Sequence, residues 1–171
     1  MRKLVAAIGA LLGFGANSKG APEADFALDY DQMVILDAED LAETGIREAY
    51  DRLKPTLKRY LANPAEITED VENNLPRYSV SCSGVTHEIY SPTSTNSKGE
   101  SWGRATYALF NIVNGQLKDS TVKFYAINCG NDLGGMFLTQ QQLVAARKSL
   151  KKKTDWPYLP MLEHPWYGQY H

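Results

Sequence analysis

The sequence predicts an α+β domain in which a small antiparallel sheet packs against about three helices, and three observations carry that reading. Residues 77–90 alternate polar and apolar side chains twice, around a central Ser83-Gly84, as a β-hairpin does. Stretches 38–61, 102–114 and 139–153 repeat apolar residues at three- and four-residue intervals, the spacing of helices with one buried face. Residues 121–128, TVKFYAIN, form an apolar strand-like run that should pair in the same sheet as the hairpin. With 171 residues and 43% hydrophobic content, the chain is long enough to bury an ordinary core without metal or dense cross-linking.

The N-terminus reads as an address. Met1-Arg2-Lys3 is basic, 4–16 is apolar or small and uncharged, and 17–24 is polar with Gly20 and Pro22. A short basic start followed by 7–15 apolar residues is the layout of a secretory signal peptide. The run is too short to span a bilayer as a stable helix. Residues 1–24 are therefore expected to be a signal and processing region, and 25–171 a single globular domain in the periplasm or outside the cell. A retained N-terminal helix would instead keep the protein cytoplasmic.

Residues 25–36 form an extended entry with a short strand at 33–36. Asp37 then has the place of a helix N-cap, with acids at Glu39 and Asp40 in the first turn. One helix is expected over 38–61, kinked or broken near Lys54 because Pro55 removes a backbone donor. Polar 65–74 reads as a loop, and 91–99, SPTSTNSKG, as an exposed one. Ser101 should cap helix 102–114, whose apolar face is wide enough to be covered on more than one side, and Gly115 fits the position just past its end. Residues 128–135 form a turn-rich connection and 136–138 a short returning strand. Thr139 and Gln142 have the spacing of a capping box for the last helix. The tail, 154–171, holds three prolines, two tryptophans and three tyrosines. Proline forbids a regular helix there and the aromatics argue against disorder, so the tail should be an extended strap on the domain.

Charge bounds the partners. A net charge of −2 gives no reason to expect a polyanion, and no nucleic-acid motif accompanies the basic run 147–153, which suits a helix C-terminus. Residues 25–72 carry 13 acids and 5 bases, whereas 73–171 carry 6 and 10. Another protein is the partner class that fits best, and no cofactor or stable membrane anchor is expected.

Few residues suggest chemistry. Cys82 and Cys129 each end a predicted strand, and an exported chain with an even cysteine count points to a disulfide between them. Closing a loop of about 47 residues would stabilise the fold by roughly 3–4 kcal/mol. The alternative makes Cys129 a nucleophile with His87 as base and Asp132 or Asn131 as orienting group, which would suit a small hydrolase or transferase. His87, His164 and His171 are too far apart in sequence for a compact metal motif. The glycines around 130–135 match neither dinucleotide nor phosphate-loop spacing. Asn131, Asp132, Gly134 and Gly135 instead read as a presented turn, and Trp102 with Arg104 as a second binding surface at a helix start. A small-ligand carrier, with aromatic helices and tail lining a cavity, is a further reading.

Overall fold

The computed structural model describes residues 26–72, 74, 76–94 and 98–171, the side chains of 98 and 99 excepted. The expected export segment, 1–24, lies outside the described residues.

The chain is α+β, and the described residues form ten α-helices and β-strands: β1 (Val34–Ile35), α1 (Ala38–Glu43), α2 (Ile46–Leu57), β2 (Ile67–Glu72), β3 (Arg77–Cys82), β4 (Val85–Tyr90), α3 (Lys98–Gln116), β5 (Val122–Ile127), β6 (Gly134–Thr139) and α4 (Gln140–Ser149). The strands divide between two antiparallel sheets, ordered β2-β3-β4 and β1-β6-β5, and not one sheet as the sequence suggested. The helix between them explains the division. Ala105, Ala108, Leu109, Phe110, Ile112 and Val113 of α3 are all buried, in one cluster with Tyr78, Val80 and Ile89 of the first sheet and Phe124 and Ala126 of the second. The opposite face of β5 and β6, with Tyr125, Ile127, Met136 and Leu138, joins Leu28 and α4 residues Leu143 and Ala146 in a second cluster. The second sheet is thus covered on both faces, which is why TVKFYAIN reads as a nearly continuous apolar run.

The hairpin forms as its sequence predicts, with Ser83 and Gly84 both at positive φ (51° and 82°) in a two-residue turn. Thr139 and Gln142 make the expected capping box.

Other expectations are corrected. Helix 38–61 is two helices. The break falls at Thr44-Gly45, not near Lys54, because Gly45 takes φ 121° and starts a new helix there. Pro55 lies inside α2, two residues before its end. Residues 65–74 are not loop: β2 pairs with β3 from Ile67↔Cys82 to Glu72↔Arg77. Its outer side is solvated, and the alternation is hidden by acids on both faces. Helix α3 starts at Lys98, so Ser101 is helical and no cap, and Gly115 is inside the helix instead of beyond it.

Gly45 offers no side chain to cap α2. The Glu69 carboxylate of β2 supplies the cap from across the fold, accepting from Ile46 N (2.7 Å) and Arg47 N (3.0 Å), and also from the Tyr78 hydroxyl. An anion at that end complements the helix dipole. The arrangement locks α2 to the first sheet.

Candidate partner-binding surface

The strap begins where α4 ends. Trp156 Nε1 donates to Leu150 O (3.2 Å), and Arg147 of α4 donates through Nε and Nη2 to Pro157 O (3.2 and 2.8 Å). The same guanidinium lies over the Tyr170 ring, 5.0 Å from its centre, and near that of Trp156. Arg147 therefore grips both ends of the strap, using a charged donor and a cation–π contact.

Tyr158 is the next anchor. Its backbone forms an antiparallel bridge with Ala126, with N···O distances of 2.8 and 3.0 Å, and its hydroxyl donates to Asn128 O (2.9 Å). Burial pushes the Tyr158 hydroxyl pKa well up, which keeps the hydroxyl protonated and able to donate. Two residues along β5, the Asn114 side chain of α3 acts as a strand partner: Nδ2 donates to Phe124 O (2.9 Å) and Oδ1 accepts from Phe124 N (2.8 Å). Between them, Asn114 and Tyr158 close the outer edge of β5.

The third anchor is Tyr167. Its ring lies against Gly103, where a Cβ would come within 2.4 Å of ring carbons, so only glycine admits it. Between Tyr158 and Tyr167 the chain loops outward. Met161 N donates to Tyr167 O (2.9 Å) and Tyr167 N to Glu163 O (2.8 Å), which closes the loop on itself. Its residues 161–166, MLEHPW, are all exposed. Met161 is 46%, Leu162 57% and Trp166 50% exposed, and one face of the Trp166 indole stacks on His171. Three large apolar side chains are thus held in solvent by a loop whose two ends are fixed.

The residues singled out from sequence are scattered. Gly134 and Gly135 are buried in β6 and are not part of a presented turn. A Cβ on Gly135 would lie 2.1 Å from the Phe124 ring, and one on Gly134 would lie 2.5 Å from Met33 Sδ. They are packing positions. Asn131 is exposed, yet its amide is committed to the α1 N-terminus, donating to Asp37 Oδ2 (3.2 Å) and Glu39 Oε2 (3.1 Å). Asp132 beside it is exposed. Trp102 is half-buried against the core, with Nε1 buried and without a partner. Arg104 pairs with Glu100 of its own helix at 3.9 Å.

The expected disulfide is not formed. Cys82 is a buried free thiol at the end of β3, and Cys129 an exposed free thiol after β5, in different sheets. His87 lies on β4 of the first sheet with its ring edge-on to Tyr107 at 5.7 Å, whereas Cys129 and Asp132 belong to the β5–β6 connection of the second. The chain does not gather these three into a hydrogen-bonded triad among the described residues. Nor do the described surface grooves have the character expected of a carrier. Their cavities, of about 70 and 500 Å³, lie over the α1–α2 corner and are lined largely by Asp37, Asp40, Arg47, Glu48 and Arg52, away from the aromatic tail. Among the described residues no group of acids, histidines and cysteines is placed to hold a metal, and no helix is long and apolar enough to cross a membrane.

No family model matches the chain, and no curated protein or solved structure matches it either. The sequence signal for the 161–166 loop was present in the aromatic tail. What sequence could not supply was the division of labour within that tail, in which Trp156, Tyr158 and Tyr167 turn inward and Trp166 outward.

Proposed function

We propose that the protein is exported and works by non-enzymatic binding to a protein partner, with the loop 161–166 as its contact. The observation that carries this reading is the exposure of Met161, Leu162 and Trp166 on a loop anchored at both ends. Tryptophan is the side chain most enriched among binding hot spots, and an anchored loop loses little entropy when it docks. Exposed apolar side chains grouped on one loop and rimmed by polar residues are a feature of interaction sites. The class of partner follows from the chemistry: an apolar pocket able to take an indole, with a polar rim for Glu163 and His164. The basic start and apolar run of 1–16 support a periplasmic or secreted location.

Two measurements test the two halves of this reading. Chemical crosslinking of the native envelope or culture fluid is compared between the wild-type protein and Trp166→Ala plus Leu162→Ala. A crosslinked partner that disappears in the variant supports the contact. An unchanged pattern, or a strictly solitary monomer, sinks it. Mass spectrometry of the mature protein reads the location: loss of the first 16 to 24 residues supports export, and an intact Met1 rejects it.

A further inference from the structure

The outer edge of β2 in the first sheet leaves backbone groups without a backbone partner among the described residues. In the Ser83-Gly84 hairpin, Cys82 and Val85 form the pair that closes the turn, so the Cys82 backbone points toward β4. Ile67, opposite Cys82 on β2, therefore turns its own backbone away from β3. Ile67 O confirms that direction by accepting from Arg47 Nη2 at 2.7 Å. Alternation then turns the backbone N–H and C=O of Glu69 and Val71 outward as well. Among the described residues neither takes a backbone partner on that side. The edge is open to solvent, with Val71 55% exposed and Thr68, Asp70 and Glu72 all exposed.

We propose that this edge receives an extended, basic segment of a partner protein as an added antiparallel or parallel strand. The backbone supplies the affinity, since an open edge is a template for β-strand addition. The side chains supply the choice. Thr68, Asp70 and Glu72 project from one face of β2, so the incoming strand meets carboxylates there and is favoured by lysine or arginine at alternate positions. On the other face the exposed Val71 asks for an apolar residue in between. A second copy of this chain is disfavoured as the occupant, because two ITEDVE edges would set Asp70 and Glu72 against their own kind. The 25–72 segment adds to this bias with its 13 acids against 5 bases.

The test uses the full chain and a synthetic peptide of alternating lysine and valine, with an alternating glutamate and valine peptide as control. Amide exchange by NMR reads the edge directly. The amides of Glu69 and Val71 exchange fast in the free protein and become protected when the lysine peptide binds, and the glutamate peptide leaves them fast. Val71→Pro removes an outward N–H without touching the β2–β3 ladder, a position where proline is tolerated. It should weaken binding about tenfold or more, as should Asp70→Lys with Glu72→Lys. Trp166→Ala should leave this binding unchanged, which separates it from the loop contact. Protection of neither amide by the lysine peptide overturns the proposal. Binding that survives Val71→Pro reduces it to charge attraction and overturns it too. A monomer–dimer equilibrium of the free protein, abolished by Val71→Pro, would replace the basic partner with a second copy.

Discussion

Along the outer edge of β5, the backbone of Phe124 is held by the Asn114 amide and that of Ala126 by Tyr158, whereas along the outer edge of β2 the backbone of Glu69 and Val71 turns outward with no backbone partner among the described residues. Both sheets have three strands and each has a strand end tied down, β5 by the strap and β2 by Arg47. They solve the edge problem differently. The β5 edge is apolar and buried, so an unpaired backbone group there would cost the full desolvation penalty, and the chain closes it. The β2 edge is wet and acidic, so its backbone groups can be left to water, with charge in place of a cover. Stability should therefore concentrate at the closed edge and selectivity at the open one.

The largest expected effect is at the strap. Tyr158→Ala removes a 3%-exposed aromatic ring and its hydroxyl bond to Asn128 O, and should destabilise the fold by about 3–5 kcal/mol in urea unfolding. Amide exchange should quicken first in β5. A loss confined to less than 1 kcal/mol would mean that the strap is an appendage and that the β5 edge is closed by other means, which would erase the contrast.

Next comes the side-chain strand mimic. Asn114→Leu keeps the branched shape, with some added bulk, but leaves both backbone groups of Phe124 without a partner beside a buried ring, at a cost of about 2–3 kcal/mol. A urea midpoint unchanged from wild type would show that water reaches this edge. On β2 the matching change is Asp70→Ser, on the wet face, where an effect within about 0.5 kcal/mol is expected. The ratio of these two losses is the sharpest single measure of the difference between the edges.

Glu69 tests the inner side of the open sheet. Glu69→Gln keeps an acceptor for Ile46 N and Arg47 N but removes the charge at the start of α2, and should cost about 1 kcal/mol. The loss should shrink in high salt only slightly, because the carboxylate is half-buried. A neutral result would assign the cap to geometry alone.

The sequence made much of this fold legible, and the misses share a cause. The hairpin 77–90, the start of α4 with its capping box and the wide face of α3 all have local signals and form as expected, whereas α4 ends at Ser149 and not at 153, the last lysines lying beyond it. Three features depend on partners remote in sequence. Strand β2 was hidden because its carboxylates include one, Glu69, that points inward to cap a helix 23 residues earlier. The break at Gly45 looked tolerable inside an apolar stripe that continues in phase on both sides. Gly134 and Gly135 resembled turn glycines, but they are glycine because Met33 and the Phe124 ring occupy the space above them. At the candidate contact, the tail was recognisable by composition alone. Which of its aromatics is free is decided by Gly103, more than 60 residues away, accepting Tyr167 and leaving Trp166 to solvent.

The smallest effect separates the two sheets by pH. His87 lies on β4 of the open sheet, and the strands β1, β5 and β6 contain no histidine. Burial against Tyr107 lowers the His87 pKa below its ordinary value, because the imidazolium would lose solvation there. The unfolded chain then binds a proton at a higher pH than the folded one. Stability from this group is complete above the unfolded value of about 6.5 and is lost as pH falls through that value toward the lower folded one. His87→Gln abolishes the difference. Thermal melts of both proteins at pH 8 and pH 5 should show the wild type losing more than the variant over that interval. Any packing loss from the substitution would appear as an offset common to both pH values. Parallel curves would show that the ring is hydrated in the folded state, and that the hairpin sheet is wetter on its inner as well as its outer side.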